Sequence, residues 1–226
     1  MKKMLAVLGC LVFSAMPQAQ AALLTYEFTA KIGAIGLNTG DPWGSSVWLS
    51  ETEGPNGGPL VKTGQHIFGK FSFDTSAQPS SISGQGSDNV FYDYTRNMSA
   101  SYSIAENGTH FSGNARFSLA DRSPGHFFGE DELVIDGDRF QLRFSDQSHL
   151  LFAAGLPTTT LSLDNLSSAT MNSAWWRSDN TLVSFKLNLS SLTLAQVQAQ
   201  VPEPASLGLM LAGLCALGFS ARRRPV

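Results

Sequence analysis

The chain has 226 residues, of which 42% are hydrophobic and 15% charged, and its formal net charge is −3. That acidic balance excludes nucleic-acid binding through bulk electrostatics, because a polyphosphate would be repelled. The only two cysteines, Cys10 and Cys215, lie near the two ends, so the long middle of the chain has no disulfide, thiolate metal site or cysteine nucleophile available.

At the N-terminus, Lys2 and Lys3 precede an apolar run from Met4 to Met16, then Pro17, then Ala19-Gln20-Ala21. A basic start, a short apolar core and a small-x-small site predict a secretory signal peptide over residues 1–21, recognised by the Sec export machinery and cleaved before Ala22. The competing reading, a lipoprotein box ending at Cys10, leaves only Met4 to Gly9 as the apolar core.

Downstream, period-two alternation dominates, the pattern of strands with one face buried. Leu24, Tyr26, Phe28, Ala30 and Ile32 alternate with polar residues, so a first strand follows directly on the cleavage site. Gly33 to Trp48 and Glu51 to Pro59 are rich in glycine and proline and read as long loops. Gly64 to Asp74 places Ile67, Phe71 and Phe73 on one face with Gly69 between them, and Thr75 to Ser87 reads as a loop. A short aromatic strand covers Phe91 to Thr95. Ala100, Tyr102 and Ile104 alternate up to Asn107-Gly108, after which Phe111, Ala115, Phe117 and Leu119 resume. Asn-Gly between alternating runs predicts a hairpin with a two-residue type I′ turn, and Asp136-Gly137 predicts a second one, joining Leu133 and Ile135 to Phe140, Leu142 and Phe144. The last strand spans Leu182 to Leu194, with its second half offset at Ser190-Ser191.

No segment between Ala22 and Gln200 sustains helical spacing for three turns. The expected body, residues 22–194, is therefore one all-β domain, an antiparallel β-sandwich or jelly-roll-like fold, followed by a polar linker at 195–200. A chain of about 180 residues can bury a sufficient core without disulfides.

The C-terminus has a different organisation. Pro202-Glu203-Pro204 opens onto an uncharged run from Ala205 to Ala221, and Arg222-Arg223-Arg224 closes it. Prolines hold the entry extended, the apolar run can be helical in lipid, and the arginines hold its end on the cytoplasmic side. At a rise of ~1.5 Å per residue a helix over 205–221 spans about 25 Å, short of the ~30 Å hydrocarbon core, which makes the anchor marginal. This tail resembles the PEP-CTERM sorting signal of Gram-negative surface proteins, and the resemblance covers about residues 201–225. It implies a sorting signal over 201–226, processing by a membrane-embedded exosortase, transient residence in the inner membrane, and a role beside exopolysaccharide in a biofilm. With both ends removed, 10 Lys and Arg face 17 Asp and Glu, so the exported body carries a charge of about −7 and repels acidic glycans as well.

Few patterns in the body point to chemistry. Glu130-Asp131-Glu132 with Asp136 and Asp138 is the densest acidic group, but it lacks the spacing of a calcium loop and reads as solvated turn charges. His66, His110, His126 and His149 have no metal-ligand spacing, no G-x-S-x-G elbow is present, and no carboxylate pair stands out for glycosidase chemistry. No catalytic residue, metal or cofactor is therefore nominated, and the body reads as non-enzymatic. Tryptophan is the better lead. Trp43 and Trp48 fall in the first long loop, and Trp175-Trp176 precedes a turn, with adjacent residues of a strand pointing to opposite faces. The expectation is an exported surface or matrix protein; the alternative is a carbohydrate-binding module carried by the same signal, contacting sugar through one of these four tryptophans, and a secreted hydrolase ranks third.

Overall fold

The computed structural model describes residues 22–38, 47–84, 89–122, 130–152, 155–157, 160–179 and 181–199. The expected signal peptide with Ala19 and Ala21, the helix at 205–221 and the rest of the sorting tail lie outside these residues. Ala22 is the first residue of β1 (Ala22–Lys31). Among the described residues no helix is long and apolar enough to cross a membrane.

Alternation in β1 is realised in full: Leu24, Tyr26, Phe28 and Ala30 are buried, and the residues between them face outward. β1 pairs antiparallel with β6 (His66–Asp74), which pairs with β9 (Ser99–Ile104), which pairs with β10 (His110–Asn114). A second run starts at the three-residue β7 (Ser81–Ser83). It continues through β8 (Asn89–Tyr94), β11 (Arg116–Arg122), β12 (Asp131–Gly137), β13 (Phe140–Asp146) and β14 (Ser168–Trp176). The two runs meet in β15 (Leu182–Ala199), which lies between β14 and β1. Short strands β2 (Ile35–Asn38) and β3 (Val47–Leu49) extend the sheet beside the start of β15. The product among the described residues is one antiparallel sheet of 13 strands, curled so that its two halves face each other, rather than two separate sheets. A small pair, β4 (Glu51–Thr52) and β5 (Val61–Lys62), forms a flap.

The offset within β15 has a structural role. Val183, Phe185, Leu187 and Leu189 are buried at alternate positions, and the phase then slips so that Leu192 is the next buried residue. Such a slip bends a strand and increases its twist. Residues up to Asn188 pair with β14, and beyond the slip Thr29 Oγ1 of β1 bonds the hydroxyls of Ser190 at 2.9 Å and Ser191 at 2.7 Å. β15 runs on to Ala199, through most of the stretch expected as a linker.

Between the halves lies an aromatic core. Tyr26 stacks on Phe71 at 5.2 Å and on Phe73 at 6.0 Å, all from β1 and β6. From the other half, Phe144 meets Phe71 at 5.4 Å and Phe117 meets Phe73 at 5.8 Å. Each such side chain contributes about 1.5–3 kcal/mol by leaving water, with about 0.5–1.5 kcal/mol more per favourable ring pair. Two polar groups inside this core are satisfied across it. The Tyr102 and Ser173 hydroxyls lie 2.8 Å apart, and Ser173 donates to the Arg139 carbonyl at 2.9 Å. The Leu161 N–H donates to the Tyr26 phenol at 3.1 Å, and burial raises the pKa of that phenol, partly offset by this bond.

Several expected turns differ in detail. The Asn107-Gly108 hairpin forms, but His110 pairs with Ser103 and the Gly108 N–H bonds the Ile104 carbonyl at 3.0 Å, a longer connection than a type I′ turn. Only Gly108 adopts positive φ there; Asn107 instead accepts from the Thr109 N–H at 2.9 Å and donates to the Leu60 carbonyl at 2.8 Å. The second hairpin turns at Asp138-Arg139, two residues beyond the expected Asp136-Gly137, because Gly137 pairs with Phe140. This register sets Ile135 opposite Leu142 and Leu133 opposite Phe144, whereas a turn at 136–137 would set Ile135 against Asp138. The alternation from Thr109 to Leu119 is two strands, because the chain passes at Ala115 from β10 in one half to β11 in the other. The expected loops also contain the short strands β2, β3 and β7.

Gly69 shows why the inner face accepts a glycine. It stands opposite Phe28, and a Cβ added there would lie 2.1 Å from the Phe28 ring. Gly69→Ala must displace that ring inside a packed core and is expected to cost about 1–3 kcal/mol. Gly33→Ala, where a Cβ meets nothing within 4 Å, should be near neutral. Urea unfolding of the two variants checks this, and equal stabilities would contradict the packing described.

Candidate functional site

Three of the four expected tryptophans fall among the described residues; Trp43 lies outside them. Trp175 is buried on the inner face of β14, where its indole N–H donates to the Glu53 carbonyl at 3.1 Å and its ring meets Phe185 edge-on at 5.8 Å. It anchors the flap that carries Glu53 and is withdrawn from any ligand. Trp176, the next residue, points outward and is 59% exposed, and Trp48 on β3 is 70% exposed. The opposite-face expectation for the adjacent pair therefore holds.

Sheet register relates the two exposed indoles. Trp48 is opposite Gly36, Gly36 opposite Ser184, and Ser184 opposite Ala174, two residues before Trp176 and on the same face. A Cβ on Gly36 would sit 3.7 Å from the Trp48 ring, so the indole lies over that glycine. Strand spacings of ~4.8 Å and rises of ~3.3 Å put the two tryptophan Cα atoms about 16 Å apart. Two flat apolar rings thus stand on one outer face of the sheet, on either side of a floor of small and hydroxyl-bearing residues.

The acidic group does not converge. β12 sends Asp131 inward and Glu132 and Asp136 to the outer face. Asp131 is fully buried, not solvated as expected, and accepts from the Arg122 N–H at 2.7 Å and lies 3.0 Å from His149 Nδ1. Glu132 pairs with Arg143 at 2.9 Å, Asp136 accepts from Gln141 at 2.6 Å, and Asp138 is at the hairpin tip. His66 contacts Glu106 at 2.8 Å and His110 contacts Ser103 at 2.8 Å, whereas His126 lies outside the described residues. Asp146, next to Asp131 across the β12–β13 pair, accepts from the Ser148 hydroxyl and from the N–H groups of Ser148, Leu150 and Leu151. Burial raises its pKa, but these bonds outweigh burial and hold it below the ordinary carboxylate value.

Sequence reasoning missed a second surface, a shallow groove of about 470 Å³ on the outer face of β10-β9-β6-β1. Its centre is Phe68, 53% exposed among polar neighbours. The signal was available: within β6 the outward positions are His66, Phe68, Lys70 and Ser72, and only one of them is apolar.

Fold and surface define an all-β body with exposed aromatic side chains on an otherwise polar outer face. The model of the PEP-CTERM protein-sorting motif matches residues 200–224, so the chain carries this motif at its C-terminus, where Pro202, Glu203, Pro204, Arg222, Arg223 and Arg224 lie. The motif marks an exported protein that is targeted to an exosortase and passes through the membrane on its way to the surface. No curated protein and no solved structure matches the chain.

Two stability predictions follow from these positions. Trp175→Ala should cost about 3–5 kcal/mol and Trp176→Ala less than about 0.5 kcal/mol in thermal or urea unfolding. The lowered pKa of Asp146 means its carboxylate contributes stability that is complete above the ordinary Asp pKa of about 3.9 and is lost as pH falls through its folded-state value. Asp146→Asn should therefore be destabilised at pH 7, with the gap to wild type narrowing below about pH 4. A gap independent of pH would contradict the role given to this carboxylate.

Proposed function

We propose that this chain is a non-enzymatic surface or extracellular-matrix protein of a Gram-negative bacterium that associates with exopolysaccharide in a biofilm. It leaves the cytoplasm by the Sec route, loses residues 1–21 before Ala22, rests in the inner membrane by the short helix at 205–221 and is released by an exosortase. Delivery is supported by the sorting motif at residues 200–224, the observation that carries the reading. Contact with sugar is supported by Trp48 and Trp176 on one outer face of the sheet, which also favours the narrower reading of a carbohydrate-binding module. The excess of acidic groups in the body favours a neutral polymer over an acidic one.

Intact-mass measurement of the protein from its native host tests delivery. The expected species lacks Met1 to Ala21 and the residues beyond Pro202-Glu203-Pro204, whereas a mature species retaining Arg222 to Arg224 contradicts the reading. Polysaccharide pull-down tests the body: Trp48→Ala with Trp176→Ala should weaken binding at least about tenfold, roughly 1.4 kcal/mol. Unchanged binding would remove these tryptophans from the contact.

A further inference from the structure

We propose that the Phe68 groove is a second saccharide-binding site, which takes a stretch of neutral hexopyranose polymer on the face formed by β10, β9, β6 and β1. The inference extends the polysaccharide reading to a separate half of the sheet and rests on it for the nature of the ligand.

The groove is built from one row of cross-strand neighbours. His110 pairs with Ser103, Ser103 with Phe68, and Phe68 with Thr29, so a phenyl ring stands between hydroxyl groups on both sides. Ser101 and Ser191 add further hydroxyls to the lining. An exposed phenyl in the centre of a polar sheet face offers a platform for the C–H face of a pyranose, while the surrounding hydroxyls can replace the water bonded to its equatorial groups. Hydroxyls that already bond one another have their orientations restricted, which lowers the ordering cost of binding. Ser103 lies 2.8 Å from His110 Nδ1, leaving the far ring nitrogen of His110 for a ligand, and Thr29 is held by Ser190 and Ser191.

Charge selects the occupant. Glu27 and Lys70 are opposite each other in the β1–β6 register and both line the groove, so its two ionic groups cancel. A polyanion finds no excess of positive charge here and meets repulsion from the acidic body as a whole. Two grooves share His110: the second, of about 420 Å³, is also lined by Asn56, Ser112 and Arg139, which suits a ligand longer than a single sugar residue. In that groove both Asn56 and Arg139 hold positive φ without being glycine, at 57° and 63°. Local strain of this kind is retained where the surroundings fix it.

Affinity electrophoresis of the protein purified from its native host tests the site, in native gels containing hydroxyethylcellulose, galactomannan or dextran, with alginate as the anionic control. At least one neutral polymer should retard the wild type, and alginate should not. Phe68→Ala should weaken that retardation at least about tenfold, Phe68→Tyr should retain it, and Phe91→Ala, a phenylalanine on the other half that is also exposed, should leave it unchanged. The midpoint of thermal unfolding should shift by no more than a few degrees in all three variants, because both side chains are only about half buried. Full retardation of Phe68→Ala, or retardation by alginate alone, overturns the groove as a neutral-saccharide site. Retention of Phe68-dependent binding in the Trp48→Ala, Trp176→Ala variant shows that the groove stands even where the tryptophan face fails. Loss in that variant alone shows the reverse. No retardation of the wild type by any of the neutral polymers overturns both. Phe68-dependent self-association in sedimentation without polymer assigns the face to a second copy of the chain and overturns the saccharide proposal.

Discussion

Everything in this fold depends on β15 having hydrogen-bond partners on both sides. Its first half pairs with β14 and its second half with β1, so the strand belongs to both halves of the sheet. A flat sheet of this width would leave both faces in water. The phase slip at Ser190-Ser191 adds the bend that turns one half over the other, and the hydroxyls freed by the slip are held by Thr29. The aromatic core is the consequence. Tyr26, Phe71 and Phe73 come from one side of β15, and Phe117 and Phe144 from the other; they meet only because the sheet curls.

Curling also decides which aromatics are available to a ligand. Inner positions are filled to the point that Gly69 and Gly137 are needed beneath the rings of Phe28 and Phe140. The outer faces stay polar. An aromatic there has no neighbours to cover it, which is why Trp48, Trp176 and Phe68 are exposed on elements that are otherwise regular. The buried Asp131 and Asp146 illustrate the opposite case. Both sit at inward positions, where β12 begins and β13 ends, and backbone N–H groups, Ser148 and His149 supply partners to both oxygens of Asp146 and to Oδ1 of Asp131.

Alternation made most of the strands legible, since a half-buried strand must repeat every two residues. β1, β6 and the offset in β15 could be read directly, and the parity of β12 and β13 was right although the turn was misplaced by two residues. Turn position is a tertiary matter: it followed the pairing of Ile135 with Leu142 and of Gly137 with Phe140, which no local motif encodes. Unbroken alternation from Thr109 to Leu119 concealed the corner at Ala115, because a strand that changes partners need not change its pattern. β14 was obscure because its inward positions include Ser173, which satisfies its hydroxyl through Tyr102 and Arg139. Of the tryptophans, adjacency in Trp175-Trp176 implied one inside and one outside, but which one required the sheet. Phe68 is legible as the one apolar residue in an outward series, but the inward Phe71 and Phe73 beside it make the segment read as an ordinary half-buried strand.

Native-state hydrogen exchange tests the shared-strand account most directly. If β15 joins the halves into one cooperative unit, the slowest amides of β6 and of β13 should exchange through the same global opening, with free energies equal within about 1 kcal/mol. If β1, β6, β9 and β10 exchange through a separate opening of lower free energy while β12, β13 and β14 stay protected, the two halves fold independently and β15 is not the element on which the structure depends.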